Sequence, residues 1–460
     1  MKTKTNVSVD VLNRIRESAS VDYKNAVPIA TPDSSVIRQI GAIIIDSPNL
    51  QNEFLNCLIN RIGKVVIKSR LFENPLRMFN KGMLEYGETV EELFVNITKA
   101  HQYDADKGEN EVWKRVFPDV KSAFHITNSE IFYKQSIGRR ELEKAFLGPE
   151  GVYDLVEYII SKMYTSSNFD EYQVMKFMIA KAALDGTTAI MPVAPVTDEA
   201  SARGLMKEIK RVSNDFEILS TKFNTCGVYN SSDKEDQYLI IDNANDANLT
   251  VDCLAFMFNE RYAQADYKKV RVDGFDDLDE ERIKAVLGID EDEALFTDDE
   301  ISALGNIEAV LLDWSWFQIY YKLLETRFIE NPENLYENTW LHVWKTYSRS
   351  PFENCVIFAS GNNGVSSVAI DDSSVPTVTH GVAGSQTIDV SITVSGLSPI
   401  GAGRVIWTVT TSDGATGEAS IDSNGLLTWN DAFTAADTIT VTCTSAIDAT
   451  KTDSATITVA

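Results

Sequence analysis

Along the chain the clearest pattern is a period of two. TIDVSITVS, RVIWTVTTS, DTITVTCTS and SATITVA, all in the last hundred residues, alternate apolar positions with Thr or Ser, the signature of strands buried on one face. Four further runs, KVVIKS (64–69), QYLIID (237–242), EAVLLDW (308–314) and NCVIFAS (354–360), are short, apolar and bounded by polar residues, and also predict strands. A helical period replaces them at GVYDLVEYIISKMY, where Val152, Leu155, Val156, Ile159, Ile160 and Met163 share one face. A second helix is expected to start at an Asn168–Glu171 capping box, turn Tyr172, Met175, Ile179 and Ala182 inward, and stop at Asp185-Gly186. Together the two make a long helical spine in an α+β body without regular βαβ alternation.

The tail stands apart. About seven short strands in roughly a hundred residues is the size of an immunoglobulin-like sandwich, with Trp407 as its core aromatic and Asn424-Gly425 predicting a primed hairpin turn. Between 362 and 460 only Arg404 and Lys451 are basic, against ten acidic residues. SGNNGVSSV (360–368) reads as the linker that joins two unlike domains.

Composition sharpens this division. At 460 residues and 44% apolar content the chain can build two or more packed cores. No eighteen-residue apolar run occurs, and MKTKTNVSVD has neither the apolar run nor the cleavage site of an export signal, so no membrane partner is expected. Five scattered cysteines suit buried thiols in a reducing cytoplasm better than a disulfide framework. The formal charge of −26 disfavours diffuse attraction to DNA or anionic lipid.

Candidate chemistry is sparse. Gly63-Lys64 runs straight into Val65-Val66-Ile67 and is no phosphate loop. The four histidines are isolated, and no Cys-x-x-Cys or His-Glu-x-x-His is present to hold zinc. DNANDANLTVDC (242–253) fails as a calcium loop at Ala244, Ala247 and Cys253, and is expected to be a polar turn. GVSSV (364–368) lacks the second glycine of a nucleophile elbow. No catalytic residue, metal site or cofactor is therefore expected, and the protein is read as not an enzyme.

Charge is distributed unevenly. Asp273 to Glu300 holds thirteen acidic residues against Arg282 and Lys284, a net −11, and reads as a solvated segment with short helices such as DLDEERIKAVLG. Arg61, Lys64, Lys68, Arg70, Arg77 and Lys81 face only Glu73, a net +5. With MLEYGETVEELFVNI as a second arm, this stretch predicts a long hairpin reaching on the order of 30 Å, whose best electrostatic partner is the acidic surface of a neighbouring copy.

These residues also carry a resemblance. QNEFLNCLINRIGKVVIKSRLFENPLRMFNKG, GETVEELFVNITKAHQYDAD and NLYENTWLHVWKTYSRSPFENCVIFASG resemble the major head proteins of small, short-tailed, protein-primed DNA phages of the phi29 type, over most of residues 20–360. VIWTVTT, ASIDSNGLLTW and TITVTCTS resemble the bacterial Ig-like domain of the second group found at the C-terminus in that family.

The resemblance implies a Hong Kong 97-type capsid fold followed by an all-β Ig-like sandwich. In that layout 1–45 is an N-terminal arm, and 46–110 carries an extended β-hairpin loop at 61–99. Residues 111–199 form a peripheral domain with a spine helix at 149–185. Residues 200–345 form an axial domain with an acidic insertion at 276–305, a departure from the family whose role is not implied. Residues 346–364 are a return strand and linker, and 365–460 the Ig-like domain. The function implied is a capsid protein whose copies, as pentamers and hexamers, close an icosahedral shell on double-stranded DNA without sequence-specific binding. A scaffolding protein and a portal would be partners, and the place is the virion head, assembled in the bacterial host cytoplasm. The alternative is a phage-associated glycan-binding adhesin or glycan hydrolase, with Trp429 as a candidate sugar-stacking residue.

Overall fold

The structure is a computed structural model, and it describes residues 4–57, 72–84, 89–101, 115–147, 162–248, 268–331, 333, 336–361, 363–412 and 414–460. In chain order the strands of the body are β1 (Asn80–Met83), β2 (Thr89–Val95), β3 (Val120–Ile126), β4 (Ser129–Gly138), β5 (Ala189–Pro192), β6 (Gln237–Asp242), β7 (Lys268–Val272), β8 (Ile307–Asp313), β9 (Phe317–Asn331), β10 (Tyr336–Arg349) and β11 (Cys355–Ala359).

Residues 4–45 do not trail away from the body. Helices α1 (Lys4–Ser18), α2 (Val21–Ala26), α3 (Ser34–Asp46) and α4 (Pro48–Cys57) join α5 (Arg139–Ala145) around a core of Ile15, Tyr23, Ile37, Ile40 and Phe54. That core closes on Leu341 and Val343 of β10. The sheet beneath it runs β1-β9-β10-β4, with β9 and β10 forming a long antiparallel hairpin that is bulged at Trp344/Lys345.

At the centre lies one helix, α6 (Lys162–Leu184). Asn168 sits inside it and its amide donates to the Phe72 carbonyl at 3.1 Å, so the expected second helix start is not there. The reason is burial on nearly every side: Val174, Ile179, Ala180, Ala182 and Ala183 are covered, and so are Glu171 and Lys176. The expected inward row is nonetheless present: Tyr172, Met175, Ile179 and Ala182 are buried, and the helix ends at Leu184, just before Asp185-Gly186. Residues 148–161, where the spine was expected to begin, lie outside the described residues.

Beside α6 is a second sheet, β5-β11-β8-β6-β7. Val310, Leu312 and Ile357 face α6, whereas Leu311, Val356 and Phe358 face α7 (Glu199–Phe216). Two covered faces explain why QYLIID, EAVLLD and CVIFA are continuous apolar runs. The DNANDA stretch is not a turn. Residues 243–248 are helical, and Asn245 donates to Glu308 Oε2 at 2.7 Å.

The acidic stretch is likewise more than a solvated insertion. Its helices α8 (Glu280–Leu287) and α9 (Asp298–Leu304) turn Ile283, Val286, Ala303 and Leu304 into the α6 core, with Leu295 and Phe296 between them. Thr297 and Glu300 form a reciprocal capping box at the start of α9.

The tail contains β12 (Gly364–Ile370), β13 (Gly384–Thr387), β14 (Val390–Ser395), β15 (Val405–Thr411), β16 (Ala419–Ile421), β17 (Leu426–Trp429), β18 (Thr438–Ser445) and β19 (Thr452–Thr458). They pair as β12-β14, β13-β17-β16 and β15-β18-β19 around Leu427, Ile439, Val441 and Cys443. Residues 364–368, expected to be linker, are the start of β12. Leu397 of the tail is fully buried in the body's core, the Ser398 amide donates to the Ala183 carbonyl at 2.9 Å, and the Ile400 amide donates to the Thr188 carbonyl at 3.3 Å. Gly186, at φ +67°, lets the chain turn against Ser398.

The Asn424-Gly425 turn is not of the primed type. Gly425 alone has positive φ there (+80°), and the Asp422 carboxylate accepts from the Asn424 and Leu426 amides, both at 2.8 Å. That carboxylate stabilises a wider turn.

Candidate assembly surfaces

Arg61, Lys64, Lys68 and Arg70 lie outside the described residues. From Phe72 onward the strand pairing differs from the expected hairpin: β2 pairs antiparallel with β3, from Thr89↔Ile126 to Val95↔Val120, and β1 runs parallel along β9. Asn74, at the expected tip, is buried, and its neighbours Leu76 and Phe79 enter the α6 core. Apolar side chains at 72, 76 and 79 give this segment a core role that its charge concealed.

The structure separates Arg77 from Lys81. Arg77 is exposed in a short 3-10 turn. Lys81 folds inward, its Nζ 5.1 Å from the Trp314 ring centroid and 6.0 Å from that of Tyr320. Burial lowers its pKa, opposed by the fields of Glu92, Glu353 and Asp313. Two of those carboxylates feel the same desolvation: burial, then Asp313, pushes Glu353 up to about 7, and burial raises Asp313.

This cluster lies at a joint. Glu92 of β2 accepts from Ser350 Oγ at 2.8 Å and faces His125 Nε2 at 3.1 Å, while His125 Nδ1 meets Ser348 Oγ at 2.7 Å. Phe94 stacks on Phe352 with ring centroids 5.6 Å apart, and Lys121 donates to the Cys226 carbonyl at 2.7 Å. One face of β2–β3 is thereby fixed to the body. The other face exposes Leu93, Val95, Val120, Phe124 and Ile126.

Two more surfaces are built from regular elements. On the acidic cover Asp290, Glu291, Asp292, Glu293, Asp298 and Asp299 point outward. Its two cations are engaged within the subunit: Arg282 pairs with Asp170 at 2.5 Å, and Lys284 donates to the Glu291 carbonyl at 3.2 Å. On β10, Leu341 and Val343 face the helical core, so the alternate residues Trp340, His342 and Trp344 face away, beside the exposed Phe132 of β4. Lys134 lies over Trp340 at 5.5 Å. The alternation in ENTWLHVWKTY was the available signal for this aromatic row, which chemistry-directed motifs pass over.

Trp429 is half-buried. Its Nε1 donates to the Val382 carbonyl at 3.1 Å, and its ring lies so close to Gly384 that a Cβ there would meet it at 2.6 Å. It borders a groove of about 800 Å³ between β15 and the β16–β17 pair.

Among the described residues no set of three or more His, Cys, Asp or Glu side chains converges as a metal site, and no helix is long and apolar enough to cross a membrane. The chain matches the Phi29-like phage major capsid protein family over residues 12–359, ending where β11 ends. It is 32% identical over 426 residues to the major capsid protein of Bacillus phage B103, covering 92% of this chain and 86% of that one, and 32% identical over 423 residues to that of Bacillus phage PZA, covering 91% and 86%. The major capsid protein of Streptococcus phage Cp-1 is 28% identical over 360 residues, or 75% of this chain and 93% of that one. Among solved structures, the capsid of Staphylococcus phage Andhra is similar at 14% identity and a TM-score of 0.48, covering 63% of this chain and 85% of that one.

The chain therefore belongs to the Phi29-like major capsid protein family: it is a major capsid protein of a phage and a component of the virion head. This is a structural family and not a family of enzymes. The adhesin or glycan-hydrolase alternative finds no support in these relatives.

Proposed function

We propose that the body takes the Hong Kong 97-type capsid arrangement, that the tail is a bacterial Ig-like module, and that many copies close as pentamers and hexamers into an icosahedral shell around double-stranded DNA. The shell works by contact alone and needs no active site. A scaffolding protein and a portal complete its assembly. The acidic surplus keeps the enclosed polymer mobile, because like charge does not pin it to the wall.

The observation that carries the contact is charge. The acidic cover displays outward carboxylates, Asp290 to Glu293 and Asp298-Asp299 among them, while its own cations are engaged within the subunit, and the sequence offers Arg61, Lys64, Lys68, Arg70 and the exposed Arg77 as the matching surface of the next copy. Lys81 leaves that set, since it is occupied within its own subunit. Pairing these surfaces reduces repulsion between subunits of formal charge −26. Lys64, Lys68 and Arg70 replaced together by Glu are expected to leave a soluble, folded subunit that sediments as a small species, whereas the wild type yields hollow particles under negative stain. Normal particles from the triple variant would refute the contact.

A further inference from the structure

The groove beside Trp429 takes no part in that charge pairing, and its lining has a definite chemistry. Thr410 and Thr411 come from β15, Glu418 and Ser420 from the β16 side, and Trp429 and Asn430 from the end of β17. Hydroxyls, an amide and a carboxylate thus surround one indole. The two strand groups belong to different sheets, β15-β18-β19 and β13-β17-β16, so the groove is the open seam of the module.

The indole is held in place before any ligand arrives. Its nitrogen is bonded to the Val382 carbonyl and its ring rests on Gly384, where any side chain would collide with it. A rigid aromatic ring loses little entropy when something stacks on it. Asn430 Oδ1 is committed to the Glu418 and Ala432 amides, at 3.0 and 3.1 Å, which fixes the side chain with its Nδ2 as the donor. Charge narrows the choice further. Among the described residues no Lys or Arg lines the groove, and Glu418 is its one acidic side chain. Anionic ligands are repelled, while uncharged polyols with an apolar ring face suit both the indole and the hydroxyls.

We propose that this groove binds uncharged oligosaccharides, with Trp429 stacking on a sugar face and Glu418 and Asn430 taking hydroxyl or acetamido groups. The inference is independent of how the subunits meet. A shallow site with one stacking ring is expected to have a Kd of about 0.1–10 mM.

Calorimetry and saturation-transfer NMR on the full-length protein test it, with tri-N-acetylchitotriose as the uncharged probe and 3′-sialyllactose as the anionic one. Saturable binding of the first and none of the second is expected, with at least a tenfold loss in Trp429→Ala. Trp429 also packs against the module, so Thr411→Arg, an exposed change at the groove mouth, is the second variant and should give the same loss without a change in melting temperature. The proposal is overturned if no saturation occurs by about 20 mM, if the sialylated probe binds as well, or if Thr411→Arg binds normally.

Discussion

Glu171 and Lys345 meet at 2.5 Å where both side chains are 2% exposed, and Glu171 also accepts from Asn74, Asn80 and Tyr321 at 3.1–3.2 Å. Burial lowers the Lys345 pKa while Glu171 pulls it back up. Such a pair adds little net stability over an apolar substitute, but removing one partner strands a buried charge. Lys345→Met is expected to cost about 3 kcal/mol in chemical denaturation, and the double change Glu171→Leu with Lys345→Met to recover most of it. On the same helix Lys176 is fully buried and reaches Asp273 at 2.7 Å and the Asp277 carbonyl at 2.6 Å. Glu171 thus ties α6 to the β9–β10 hairpin and Lys176 ties it to the acidic cover. The composition shows these charges but not their burial.

At the scale of elements, the joint between the β2–β3 pair and the body holds a buried carboxyl, Glu353, in the field of Glu92 of β2. Glu353 has a folded-state pKa of about 7 against an ordinary 4.5, because burial and Asp313 oppose its ionisation. A raised pKa means that the folded state holds its proton longer. The stabilisation is fully present below pH 4.5 and is lost as pH rises towards 7 and just beyond. Lys81, Asp313 and Glu92 supply the other charges facing it, and Asn230 donates to its Oε2 at 2.9 Å. Glu353→Gln is expected to raise the melting temperature at pH 8 by roughly 2–4 °C, with no gain at pH 4. An equal gain at both values would show that ionisation is not the cause.

Elements differ in how plainly the sequence announces them. β6, β8 and β11 are legible because a strand covered on both faces is apolar throughout, and the tail strands because half-burial makes them alternate. Helix α6 is legible in its inward row and its end, since Tyr172, Met175, Ile179 and Ala182 are buried and it stops at Leu184, but not in its start, because the helix already runs through Asn168. Nor is β2's pairing, because β3 begins 25 positions after β2 ends and alternation does not name a partner.

For the molecule as a whole, the tail is seated on the body. Leu397 fills the body's core, and two backbone hydrogen bonds hold residues 398–400 to 183–188. Leu397→Asp is expected to release the seat and raise the rate of proteinase K cleavage near 360–364 at least tenfold, with the melting of β15-β18-β19 unchanged. An unchanged cleavage pattern would mean that the backbone contacts suffice. The groove at Trp429 belongs to this scale too, since its two sides come from separate sheets.

The sequence by itself determined the mixed body and all-β tail, the doubly covered strands β6, β8 and β11, the alternating tail strands β14, β15, β18 and β19, the charge asymmetry and the family, because each is written in local pattern or in residue order. Tertiary structure alone decided that Lys81 turns inward, that the acidic stretch covers a helix, and that Trp429 borders a groove. Each of those outcomes rests on which distant segments exclude water together, and neither a period nor a charge count records that.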